Sequence, residues 1–347
     1  MTDLPPPPPP TSRAEQTTIV ELPYHRLFRA QPTYRWWRPL VALVMAAVFF
    51  LGVQVVLAIV LVVVLFANGT ISVGHIPTQT ELLAELSPDL TNPWTLVFGL
   101  GAILLVLPLI PLALRIAGIR PSGYRVNILH SVTFRLRWRW LGVTAAISAV
   151  VWIVSLAVQV LVGVASGQPL LPFSTPIGPY LVGALIVVLL VPLQAATEEY
   201  LFRGVLQQVI GAWARWAPVG IVISATLFAL SHSYDIWGQL QVGILGVSFA
   251  IAAIRTGGLE SGIAYHSVHN IGTFLITGTG MFGPTNSAGA VGTPMDVIPP
   301  LITAAVWLTA IEFAARRMHP QRISRIAVTR LVPDPPTQPG MPATLGG

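Results

Sequence analysis

Eight apolar runs divide the chain, at about 40–66, 94–116, 140–164, 179–202, 217–234, 237–254, 259–277 and 297–315. About 20 apolar residues at 1.5 Å rise cross roughly 30 Å of hydrocarbon. The pattern therefore predicts an all-α protein, a polytopic bundle of about eight transmembrane helices. The sixth and seventh runs are short and interrupted by polar residues. Trp36, Trp37, Trp94, Trp138, Trp140 and Trp216 fall at run ends, where interfacial aromatics belong.

Arginine sets the topology. Arg26, Arg29, Arg35 and Arg38 precede the first run, and Arg120, Arg125, Arg135, Arg137 and Arg139 follow the second. The 67–93 loop instead carries Glu81, Glu85 and Asp89, and the 165–178 loop is uncharged. Arg215 and Arg255 flank later connections, and Arg316, Arg317, Arg322, Arg325 and Arg330 follow the last run. The alternation predicts that both termini are cytoplasmic. It also divides the chain into five parts. Residues 1–37 are a disordered proline-rich tail containing Pro5 to Pro10, and 38–178 hold the first three helices. Residues 179–277 form a core of four helices, 278–318 the last helix and its loop, and 319–347 a second disordered tail.

Composition supports the membrane reading. The chain is 54% hydrophobic and 9% charged, against about 25% charged in soluble proteins. Mean hydropathy is +0.72. All 19 basic residues are arginine, which reads as coding bias in a prokaryotic cell-membrane protein. They lie between apolar runs, and this placement argues against nucleic-acid binding. The absence of cysteine excludes disulfides and thiolate metal sites.

Against this background the polar residues inside the runs carry the chemistry. Glu198, Glu199 and Arg203 close the fourth run. An ionisable group at membrane depth costs about 2.5–3.5 kcal/mol even on lenient scales. Glu199 and Arg203 are four apart and share a helix face, while Glu198 is turned about 100° away. Arg203 can thus neutralise Glu199 and leave Glu198 as a general base. A surface ion pair capping a helix end is the bland alternative. Phe228 and His232 are also four apart, as are His266 and Asn270, and His269 lies one turn from His266. Each can be read singly as packing or interhelical hydrogen bonding. Together they supply carboxylate, imidazole and amide, the equipment for activating water and holding an oxyanion. Gly243 and Gly246 read as sites of close helix approach.

Glu198-Glu199-x-x-x-Arg203, Phe228-x-x-x-His232 and His266-x-x-x-Asn270, in this order on successive helices, resemble the signature motifs of the CPBP intramembrane proteases. These are the CAAX prenyl protease and bacteriocin-processing (Abi) proteins. Thr256-Gly257-Gly258-Leu259 also reads like the family, and the resemblance covers about 180–276. It implies an eight-helix intramembrane endopeptidase open to cytoplasm and lipid. Its substrate would be a membrane-bound or lipid-anchored polypeptide. It assigns Glu198 to activating the water, His232 to positioning and deprotonating it, and His266 and Asn270 to the oxyanion. Glu199 and Arg203 would support the site, and Tyr200 and Phe202 would pack.

The residues leave two questions open. Glu199 or Glu198, with His232 and His266, would make three ligands for zinc or another divalent metal with one open position. No His-Glu-x-x-His pair is present, and Asn270 is a better oxyanion donor than zinc ligand. The reading therefore favours a metal-independent glutamic type. A catalytically silent scaffold of the same family, or a proton-coupled transporter, are the alternatives to the protease. Geometry poses a further condition. His232 lies about fifteen residues, roughly 22 Å, into its run from the side where Glu198 sits. Convergence requires the fourth helix to continue to about residue 210, or the fifth to tilt.

Overall fold

The computed structural model describes residues 14–31, 34–67, 88–119, 125–168, 170–282 and 292–332, with single residues 69 and 78. Pro5 to Pro10, Glu81, Glu85, Arg120 and the last fifteen residues lie outside the described set. The described residues are mostly helical. Strand β1 (Ala14–Pro23) leads through a 3-10 turn, Tyr24–Ala30, to helix α1 (Arg38–Ala67). Helices α2 (Pro93–Leu104) and α3 (Leu109–Ile116) form the second run, broken ahead of Pro108. Then come α4 (Trp138–Ala165), α5 (Ile177–Glu199), a π-helical turn Tyr200–Leu206, and α6 (Gln207–Trp213). Helices α7 (Ala217–Leu230), α8 (Ile236–Thr256), α9 (Glu260–Thr277) and α10 (Ile298–Met318) precede strand β2 (Ile323–Val332).

Each of the eight apolar runs contains helix, the second broken at 105–108 and the fifth helical only to Leu230. Among the described residues six helical stretches are long and apolar enough to cross a membrane: Arg38–Ala67, Pro93–Ile116, Trp138–Ala165, Ile177–Trp213, Ile236–Thr256 and Pro294–Met318. Helix α7 has 14 residues, about 21 Å at helical rise, and falls short of a full crossing. Helix α9 is interrupted by histidines and an asparagine and is not among the six. Helix α1 exposes Leu51, Val55, Val56, Ile59 and Val63. Such a continuous apolar surface is compatible with lipid and not with water. The protein is thus integral and multi-pass.

Within the two segments read as disordered tails, 1–37 and 319–347, residues 14–23 and 323–332 are strands, while residues 1–13, 32–33 and 333–347 lie outside the described set. β1 and β2 pair antiparallel in register from Ala14–Val332 to Pro23–Ile323. Neither strand can satisfy its backbone groups alone, and each finds its partner some 300 residues away. Local composition carries no trace of such a pairing. The 3-10 turn that follows buries Tyr24, Leu27 and Phe28 in the largest core, with Val205, Val209 and Ala212 of the long fourth helix. The N-terminal segment therefore braces the helix that carries the acidic pair.

Trp140 also departs from expectation. Trp94, Trp138 and Trp216 are exposed, but Trp140 is buried against Phe249, Tyr265 and Trp307. Two residues past Trp138, about 200° around the helix, the same helix has turned from its exposed face to the core.

A second ion pair locks the start of α9. Arg137 donates from Nε to Glu260 Oε1 at 2.8 Å and from Nη2 to Oε2 at 2.7 Å, and its Nη1 reaches the carbonyls of Thr256 and Gln321. Glu260 is fully buried. Removing one member of a buried pair costs about 3–5 kcal/mol, because the other charge is stranded. Arg137→Ala is expected to lower stability by about that amount, read as thermal unfolding in detergent.

Candidate active site

The fourth run extends as one helical stretch from Ile177 to Trp213, 37 residues, or about 55 Å. The continuation to about residue 210, one of the two routes to convergence that the sequence offered, is therefore present. A π-helical turn follows the acidic pair, and the Gln207 N–H bonds the Phe202 carbonyl five residues back. Widened turns of this kind recur at functional sites.

The structure brings Glu198, Glu199, Arg203 and His266 into one cluster. Arg203 Nη1 donates to Glu199 Oε1 at 2.8 Å, and both residues are 0% exposed. The pair is therefore not a surface helix cap. Arg203 Nη2 donates to the Gly246 carbonyl at 3.0 Å, and its guanidinium lies 4.2 Å from the Phe228 ring centre and 5.3 Å from that of Phe249. Charge, hydrogen bonding and cation–π contact together hold the buried cation. Gly246 permits this approach, since a Cβ there would stand 3.1 Å from Arg203 Nη2.

His266 comes from α9 and lies between the two carboxylates. Its Nδ1 is 3.2 Å from Glu199 Oε1 and its Nε2 is 3.5 Å from Glu198 Oε2. A neutral imidazole can donate from only one nitrogen; an imidazolium donates from both. Phe249 stacks on the ring at 5.4 Å and Phe228 meets it edge-on at 5.8 Å. These two aromatics fix the imidazole plane. Gly262, one turn before His266, faces Glu199; a Cβ there would come within 2.9 Å of Glu199 Oε2.

Glu198 is 8% exposed and faces away from Arg203. Its Oε1 accepts a hydrogen bond from Gln194 Nε2. Its Oε2 is buried with no hydrogen-bond partner among the described residues. Asn270 joins through the same glutamine: Asn270 Nδ2 donates to Gln194 Oε1 at 3.4 Å. Sequence reasoning missed Gln194. The available signal was a lone amide inside an apolar run, four residues before Glu198 and on its face.

His232 is placed differently. Helix α7 ends at Leu230, so His232 lies just past it rather than within a span. Its Nδ1 donates to the Phe228 carbonyl at 2.8 Å. In the neutral ring this leaves the lone pair on Nε2. Among the described residues it makes no hydrogen bond to either glutamate, and it meets His266 only across Phe228, whose ring centre is 4.9 Å away. His269 stacks on Tyr265 at 6.0 Å and makes no hydrogen bond to the carboxylates among the described residues. Tyr200 has a polar partner besides packing, because its hydroxyl bonds His130 Nδ1. Among the described residues no three His, Asp or Glu side chains form a group able to hold a metal ion. The trio Glu199, His232 and His266 does not form such a group: Arg203 neutralises Glu199 through Oε1 and Phe228 lies between the two imidazoles.

These features define a class: a multi-pass membrane protein with a buried carboxylate–imidazole centre set between its helices. Residues 176–272 match the family model described as type II CAAX prenyl endopeptidase Rce1-like. Over that stretch the chain is similar to the CAAX-type proteases of the CPBP family. The matched segment contains every residue of the cluster, from Gln194 to Asn270. Comparison with curated proteins and with solved structures found no match.

Proposed function

We propose that the chain is an intramembrane endopeptidase hydrolysing a membrane-associated or lipid-anchored polypeptide with a glutamate-activated water. The observation that supports this most is the asymmetry of the acidic pair. Glu199 is neutralised by Arg203, while Glu198 has no arginine partner among the described residues and turns its Oε2 to within 3.5 Å of the His266 imidazole. A base needs a carboxylate that no fixed cation has neutralised.

In this reading Glu198 Oε2 takes a proton from water, assisted by His232, whose Nε2 carries the lone pair. The hydroxide attacks the scissile carbonyl carbon. His266 and the second N–H of Asn270 stabilise the oxyanion. The tetrahedral intermediate collapses, the C–N bond breaks, and the proton held by Glu198 passes to the leaving amine. Glu199 and Arg203 fix His266 and the backbone around it. The arginine-rich connections support opening toward the cytoplasm.

No metal enters this scheme. A guanidinium 2.8 Å from Glu199 Oε1 competes directly with a divalent cation for that carboxylate. Purified protein in liposomes is expected to release a carboxy-terminal fragment from anchored peptides, detected by mass spectrometry, and to keep this activity under chelation. Stoichiometric zinc lost together with activity would overturn the metal-independent mechanism. Prenylated and unprenylated versions of the same peptide would identify the substrate class.

A further inference from the structure

Gln194 lies 7% exposed on α5, between the residue proposed as base and one proposed as oxyanion donor. Its two amide atoms face different partners: Nε2 donates to Glu198 Oε1, and Oε1 accepts from Asn270 Nδ2 at 3.4 Å. The polarity of this chain is forced. Ionised Glu198 can only accept, so the glutamine must turn its NH₂ toward it. The carbonyl oxygen then faces Asn270, which can answer only with its own NH₂. One side chain therefore sets the orientation of two others on different helices.

We infer that Gln194 is a positioning residue of the hydrolytic site. It holds Glu198 so that Oε2, not Oε1, meets the water, and it turns the Asn270 amide so that its remaining N–H faces the oxyanion. The inference rests on the function proposed above. An unanchored Asn270 would present carbonyl or NH₂ with little preference, and an amide oxygen facing an oxyanion repels it. An amide at this depth is itself costly to bury unless both ends are bonded. Packing alone does not account for an amide here, since Val187 and Val191 on the same helix fill their buried positions with aliphatic side chains.

The test uses Gln194→Met, which keeps length and volume but removes donor and acceptor. Thermal unfolding in detergent is expected to stay near that of the unaltered chain. For a cleaved peptide, kcat is expected to fall on the order of 10²-fold, the cost of misplacing reacting groups by about 1 Å, with KM little changed. Combined with Asn270→Ala, the loss should be less than the product of the single losses, because both act on the same donor. Gln194→Glu, which keeps an acceptor for Asn270 but sets a second carboxylate against Glu198, is expected to be as impaired. Unchanged kcat in Gln194→Met, a fall carried by KM or by lost stability, or strict multiplicativity with Asn270→Ala would each overturn the positioning role. Glu198→Gln separates the two levels. If that variant keeps full activity, the proposed site itself fails and the inference with it. If it is inactive while Gln194→Met is fully active, only the inference fails.

Discussion

Glu198→Gln is expected to lose about 10²–10⁴-fold in kcat while the protein folds and binds peptide normally, the range associated with removing a positioned general base. The amide fills the same volume, and Glu198 makes only one hydrogen bond among the described residues, from Gln194. Its other oxygen, which faces His266 at 3.5 Å, is the one the reaction needs. Cleavage of an anchored peptide in liposomes, followed at saturating and subsaturating substrate, separates kcat from KM. A scaffold or a transporter would show no difference between Glu198→Gln and the unaltered chain in this assay, because neither cleaves. Full cleavage by Glu198→Gln would instead sink the glutamate mechanism while leaving the protease class intact.

Arg203→Met is expected to be the most destabilising single change at the site, by about 3–5 kcal/mol. It strands Glu199, which is 0% exposed and whose remaining neighbour in the cluster is the His266 imidazole. It also removes the cation from the faces of Phe228 and Phe249 and the donor from the Gly246 carbonyl. A double variant, Glu199→Leu with Arg203→Met, is expected to recover much of the lost stability, since apolar replacement of a whole buried pair is often neutral or better. It should remain inactive, because His266 then loses the carboxylate that orients its Nδ1. Unfolding midpoints in detergent, measured beside cleavage, check both halves. An active double variant would show that the pair does not orient the histidine.

How much of this was legible beforehand differs between elements. The long apolar helices are read directly from hydropathy, because the need to cover about 30 Å of hydrocarbon acts on each segment locally, whereas only six of the eight runs are long and apolar enough to cross among the described residues. The pairing of Arg203 with Glu199 rather than Glu198 is equally local, since a four-residue spacing decides which carboxylate shares its face. The extension of the fourth run to Trp213 was one of two routes the spacing of Glu198 and His232 left open, and its π-helical turn was not legible. The paired terminal strands, the burial of Trp140 and the place of His232 beyond the end of α7 were not legible. Each depends on a partner far along the chain or on where a helix stops.

By itself, then, the sequence determined that this is a multi-pass helical membrane protein with an acidic pair split by one arginine. The reason is that lipid and helical periodicity constrain residues within a few positions of each other. Only the tertiary structure decided that His266, rather than His232, stands between the two carboxylates, and that Gln194 links Glu198 to Asn270. Those contacts join α5 to α9 across separations of 67 and 76 residues. They are set by how close two backbones approach and how their faces are turned, quantities that helix packing settles and no local pattern records.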